Sequence, residues 1–275
     1  MAVSTVDEAA AWVAEVGIAL LFPKADYVLP SLWEAVAGRS DVDWAIRDDD
    51  ERFVSFTPEM EKVWHWKDEL PRRRLACVGL HVVRTTGLVA PGLAAAVYAL
   101  TGRAGRPDDF RDDELDPLEL ELAEAALELG RPTTRRELRL LVDREKREVD
   151  KAVNALQRKL VLTNAGRDDE GSGSTPEGWS STLHDLFARR WRARLRRLPD
   201  RDTALRTLAE KVAAAAGDVS AADLAAVLKL RRREATELLT SLEAEGALAR
   251  RDEAGIPIWV PARRVTRRRE RAPRG

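Results

Sequence analysis

Residues 63–74 read VWHWKDELPRRR, in which Trp64, His65 and Trp66 run directly into Lys67, Asp68 and Glu69 ahead of a proline and three arginines. Carboxylates beside indole rings have a definite chemical use. Asp68 or Glu69 can take a proton from water or steady a developing positive charge, and Trp64 or Trp66 can stack on a flat ring. The same letters have a plainer use, as a charged turn that closes a helix and locks the packing of a domain. The pattern alone favours the plainer use, so Asp68 and Glu69 stand only as catalytic candidates and the two indoles as stacking candidates. Other chemistry is thinner. His65, His81, His184 and Cys77 do not assemble a metal set, because Cys77-x-x-x-His81 is a single pair without further ligands. The stretch TGRAGRPDD lacks the Lys-Ser/Thr of a phosphate loop, and no serine or cysteine sits in a nucleophile elbow. No cofactor and no metal are expected.

The second set of chemically able residues is cationic and lies on helices that repeat. TTRRELRLLVDREKREVDKAVNALQRKLVL from Thr133 and VSAADLAAVLKLRRREATELLTSLEAEGAL from Val219 align without a gap at an offset of 86 residues. Thr134-x-x-Glu137 and Ser220-x-x-Asp223 read as capping boxes, in which a hydroxyl caps free amides and an acid reaches back. Each opens a short helix ending near Leu141 or Leu228. A longer helix follows, with apolar positions Val149, Ala152, Val153, Leu156 in one copy and Ala235, Leu238, Leu239, Leu242 in the other, at i, i+3, i+4, i+7. A further helix precedes each copy (118–129 and 203–215), and extended runs around a glycine turn close it. Helix, short helix, long helix and strand–turn–strand is the order of a winged helix-turn-helix, here expected twice in tandem.

With the apolar faces removed, the long helices present groups that can meet DNA. These are Arg144, Lys146, Arg147, Lys151, Asn154 and Arg158 in the first copy, and Arg231, Arg232, Arg233 and Thr236 in the second. Arginine and asparagine can pair with base edges, and the rest suit phosphates. Glu148, Asp150 and Glu237 oppose phosphate on the other sides. RRWRARLRR (189–197), with Trp191 and Leu195 on one helical face, adds positive charge. So does the tail, through Arg263, Arg264, Arg267, Arg268 and Arg269.

The first hundred residues read differently. Helices are expected from Val6 to Leu21, over SLWEAVAG after Ser31, and from Thr57 as far as Pro71, carrying Trp64 and Asp68. RLACVGLHVV (74–83) reads as a buried extended run and APGLAAAVYALTG (90–102) as a helix of small residues. Five of the eight tryptophans lie in this region. The expected organisation is a Trp-rich mixed α/β domain over 1–105, winged helices over 106–198 and 199–262, and a basic tail over 263–275.

Bulk composition sets the frame. The chain has 275 residues, 44% hydrophobic and 34% charged, with a formal net charge of −1, so no global field draws it to nucleic acid or membrane. Only eight of its 46 basic residues are lysines, an arginine bias that lowers the weight of any arginine cluster. One cysteine fits a reducing compartment, and no apolar run is long enough to span a bilayer. A cytoplasmic protein without membrane contact is expected.

LLFPKADYVLPSLWEAVAGR and WHWKDELPRRRLACVG, followed by the two repeats, resemble the bacterial crosslink-repair DNA glycosylase family. That resemblance implies tandem winged helices, DNA as the partner, and relatives that release bulky alkylated bases. The active members carry a Gln–apolar–Gln or Gln–apolar–Asp motif. This sequence has a single glutamine, Gln157, and no such motif. The expectation is therefore a DNA-binding, repair-related protein of mainly α structure with short β wings, closer to a binding protein than to an enzyme. A sequence-specific regulator and a winged-helix scaffold without DNA remain as alternatives, with a homodimer or another protein as possible partner.

Overall fold

The fold is described from a computed structural model over residues 3–43, 46–47, 54–168 and 181–262. Its first helix, α1 (Val6–Val16), opens on a full capping box between Thr5 and Glu8. It stops five residues earlier than expected. Gly17 takes a φ of +86°, and Ile18–Leu20 leaves the helix as strand β1, paired antiparallel with β5 (Gly87–Val89). A short apolar run such as GIALL fits a buried strand as well as a helix, and the partner strand decides between them.

Ser31 and Glu34 form the capping box of α2 (Leu32–Ala37). A two-residue ladder, β2 (Ile46–Arg47) with β3 (Val54–Ser55), leads to α3 (Pro58–Arg72), capped by Thr57 with Pro58 in the first turn. Proline is tolerated there because that amide has no helical partner. The extended run expected over 74–83 shrinks to β4 (Cys77–Gly79), which pairs with the far side of β5 in the sheet order β1-β5-β4. A one-turn 3-10 segment precedes α4 (Ala94–Ala99).

From here the order of elements runs twice. The first unit has α5 (Pro117–Leu129), β6 (Thr133–Thr134), α6 (Arg135–Val142), α7 (Lys146–Arg158), and strands β7 (Leu162–Arg167) and β8 (Thr182–Leu186) in the sheet β6-β8-β7. A single turn, α8 (Phe187–Arg190), and a loop lead to the second unit. That unit has α9 (Arg201–Ala216), α10 (Ala221–Leu228), α11 (Arg232–Ala244) and the hairpin β9 (Leu248–Glu253) with β10 (Ile256–Pro261). Equivalent positions carry equivalent geometry. Thr134 and Ser220 cap the second helix of each unit, and Asp143 (φ 48°) and Lys229 (φ 57°) end it in the left-handed conformation. Thr133 and Val219 bridge to the hairpin strands at His184 and Trp259.

Three apolar clusters hold these parts. One packs Trp33, Met60, Val63, Trp66 and Leu70 beneath the first sheet, and another packs Phe110, Leu122, Leu138, Val153 and Leu156 inside the first unit. The largest joins Ile18 and Tyr98 from the first hundred residues, Phe187 from α8, and Leu208, Leu224, Leu239 and Trp259 from the second unit. Phe187 lies parallel to Tyr98 at 5.5 Å between ring centroids and edge-on to His81 at 5.2 Å.

RRWRARLRR is not one helix. Its chain turns after Arg190, while Trp191 and Leu195 are still buried. Arg190 is itself buried and donates to the carbonyls of Pro71 and Arg72 at the end of α3, the first of which also accepts from the Arg74 amide. Arg189 donates to Asp185 and to the carbonyls of Ala126 and Arg131. Both arginines are internal braces, so only the remainder of the stretch keeps its charge on the surface.

Candidate functional site

A cleft of about 1050 Å³ opens where α3 and the β4–β5 loop face the first repeat unit. Four residues of the opening stretch line it: His65, and Trp64, Lys67 and Asp68, which stand at i, i+3 and i+4 on one face of α3. Trp66 points the other way and is buried with Val63 and Leu70. Stacking on a ligand therefore falls to Trp64 alone. The Trp64 indole is tilted against Phe56 at 5.6 Å, and the Lys67 ammonium sits 4.6 Å from its centroid.

Lys67 also donates to Asp68 Oδ2 at 2.6 Å, whereas Oδ1 is buried without a hydrogen-bond partner. Burial raises the Asp68 carboxyl above its ordinary pKa, opposed chiefly by Lys67. A shifted carboxyl with one unsatisfied oxygen in a cleft has the features of an acid–base group. Glu69 does not share this position. Its carboxylate is held low by a double hydrogen bond from Arg72 and closes the helix end, as the plainer reading of the sequence expects.

The opposite wall is built around Arg135, the first residue of α6. Its Nε donates to His184 Nε2 at 3.2 Å, Nη1 to Asp150 Oδ1 at 3.1 Å, and Nη2 to Asn154 Oδ1 at 2.7 Å. Asn154, expected on a DNA-reading face, is thus committed to orienting Arg135 at the cleft wall. Gln157 lies deeper, its Oε1 accepting from the Leu80 amide at 3.3 Å. Gly79 beside it has no room for a side chain, since a Cβ would fall 2.7 Å from that oxygen. On β7, Asn164 Oδ1 is buried without a partner at the bulge between Asn164 and Gly166. The bulge allows β7 to lie close on α3, where a Cβ on Gly166 would meet Arg72 Cβ at 3.0 Å. Arg135, His184 and Asn164 carry no sequence signal as site residues, because their partners are 15 to 49 positions away along the chain.

The other charged candidates divide by unit. On α7, Lys146, Arg147, Lys151 and Arg158 are exposed, while Arg144 in the preceding turn pairs with Glu121 at 3.6 Å. That helix carries four basic side chains against two acidic ones. On α11 the balance reverses to two against three, with Arg233 paired to Glu237 and Arg231, just before it, paired to Glu234. Arg232 and Thr236 are exposed, the hydroxyl of Thr236 donating to the Arg232 carbonyl. Arg263, Arg264, Arg267, Arg268 and Arg269 lie outside the described residues. Among the described residues no cluster of His, Cys, Asp and Glu could hold a metal, and no helix is long and apolar enough to cross a membrane.

Two buried imidazoles make the fold acid-sensitive. Desolvation pushes both His81 and His184 down to about 3. Between that value and the ordinary histidine pKa the unfolded chain binds protons that the folded one does not, so this stability is present above about pH 6.5 and lost on acidification. Urea midpoints at pH 7.5, 6 and 5 should fall in that order, and His184→Asn should flatten the trend; a midpoint independent of pH would contradict the buried neutral rings.

The arrangement is that of a mainly helical protein with short antiparallel sheets and a polar cleft between its N-terminal part and a helical unit. The sequence matches the AlkZ-related family over residues 3–229, and the chain belongs to that family. No curated protein matches it. Among solved structures, the DNA glycosylase AlkZ of Streptomyces sahachiroi is similar, with 19% identity and a TM-score of 0.50 over 78% of this chain. The chain spans 59% of that glycosylase's length, and at this identity the likeness shows the fold.

Proposed function

We propose that this protein binds duplex DNA through two winged helices in tandem and accepts a displaced base in the cleft beside Trp64 and Asp68. The observation that carries the reading is the cleft itself, which sets a half-buried indole and a buried carboxylate opposite a rigidly held Arg135. A flat base stacks on the indole, the Asp68 carboxylate that lines the cleft accepts from its edge or from water, and Arg135 faces the phosphodiester. The charge balance favours α7 over α11 for the main DNA contact. The Asp68 carboxylate is the group able to take a proton from an attacking water, so any base release runs through it. The protein is placed in the cytoplasm, where its one thiol stays reduced.

Electrophoretic binding to matched undamaged, mismatched and alkylated duplexes tests this. Alkylated or distorted DNA should be preferred whatever its sequence. Preference for one undamaged sequence by several kcal/mol would instead make the protein a regulator, and no duplex binding at low salt would remove both readings. With roughly 4–8 phosphates neutralised, log affinity should fall against log salt with a slope of about −4 to −7. Neutralising Lys146, Arg147 and Lys151 together should flatten that slope, whereas neutralising Arg231, Arg232 and Arg233 should leave it nearly unchanged.

A further inference from the structure

A second cavity, of about 210 Å³, lies on the far side of His81 between α4, the end of α7, α9 and the α10–α11 turn. Its interior is aliphatic, with Val97, Leu160, Leu208 and Val227 among the lining residues. Its polar lining is cationic: Arg158, Arg201 and Lys229 reach it and no carboxylate does. Lys229 is held in place. Its ammonium donates to the carbonyls of His81 at 2.8 Å and Arg158 at 3.2 Å, which leaves one of its three N–H groups unused.

His81 lines the cavity at 3% exposure with both ring nitrogens buried, its ring held against the Leu162 backbone. The Lys229 backbone is left-handed, φ 57°, as is Asp143 at the equivalent helix end of the first unit. Burial, with Arg158 and Arg84 near, pulls the Lys229 ammonium down to about 8, and no anion offsets the charge.

We propose that this cavity binds a small organic monoanion with an apolar body of single-ring size, in chemical class an arylalkyl carboxylate, with its carboxylate at Lys229. The volume fits: an apolar cavity of about 150 Å³ accommodates benzene, which leaves room here for a short acidic arm. The site is separate from the DNA-facing cleft and does not depend on how that cleft is used.

Titration calorimetry on the full chain tests it with four probes: phenylacetate, phenylacetamide, 2-phenylethylamine and inorganic phosphate. Phenylacetate should bind one to one and about tenfold more tightly than the amide, the scale of one charge-assisted hydrogen bond. The amine should not bind. Lys229→Gln should bring phenylacetate to the level of the amide, and Leu208→Phe should abolish both by filling the cavity. Circular dichroism melts check that each variant folds, and Val227→Leu takes the place of a Leu208→Phe that does not. Equal affinity for acid, amide and amine overturns the proposal, as does absence of phenylacetate binding at millimolar concentration. Phosphate binding as tightly as phenylacetate also overturns it, by making the site a simple phosphate contact.

Discussion

Asp68→Asn is expected to lower release of base from alkylated duplex by about two orders of magnitude or more, while duplex affinity changes by less than about threefold. The amide keeps the shape of the carboxylate and an acceptor for Lys67, so the cleft stays intact. What it loses is the ability to take a proton from a water in the cleft. Lys67 keeps its contact with the Trp64 ring but loses its counter-charge, so a melting curve must accompany the rate measurement. Because burial raises the Asp68 pKa, the reactive carboxylate form is lost at higher pH than for an exposed aspartate. Base release should therefore rise with pH through that raised value and level off above it. Glu69→Gln should leave the rate unchanged, since Glu69 is bound up with Arg72 at the helix end. Base release that survives Asp68→Asn would remove Asp68 from the chemistry. No release by the parent protein, with preferred binding of alkylated duplex retained, would make the cleft a recognition site.

Phe187→Ala is expected to cost about 3–5 kcal/mol of stability and to lower the melting temperature on the order of 10 °C. The ring is 1% exposed and touches Tyr98 on its face and His81 at its edge. Its place in the chain explains the size of the effect. Phe187 belongs to α8, between the two units, yet its cluster also holds Ile18 from the first sheet and Trp259 from the last hairpin. Truncation opens a cavity at the point shared by all three regions, and the surrounding side chains come from elements too rigid to close it. The melt should remain a single transition, displaced as a whole. Two transitions, with only one displaced, would mean that the regions unfold independently and that the shared cluster is weaker than its burial implies.

How far these features are legible in the sequence depends on whether they are local. Capping residues, apolar spacing and the 86-residue offset mark the helices of both units, because a cap or a helical face is set within a few residues of itself. The same reasoning places Trp64, Lys67 and Asp68 on one helix. It also assigns Trp66 and Glu69 to the same group, since neighbours in a sequence look equivalent until packing sorts them onto opposite sides of α3. The end of α1 is misjudged for a related reason: Gly17 and the pairing of β1 with β5 settle it, and β5 lies some seventy residues away. Arg189 and Arg190 read as surface charge because composition does not reveal the carbonyls they meet at the end of a different helix.

The sequence by itself determined the mainly helical class, the repeated order of elements and the helix that carries the candidate residues, all of which follow from interactions a few residues apart. Only the tertiary structure decided which side chains meet across the cleft. Arg135 gains its fixed orientation from Asp150, Asn154 and His184. Asp68 gains its unsatisfied oxygen and raised pKa from the desolvation imposed when β7 and the first unit close over α3. Burial belongs to the assembled molecule, and the reactivity of a carboxyl changes with its burial.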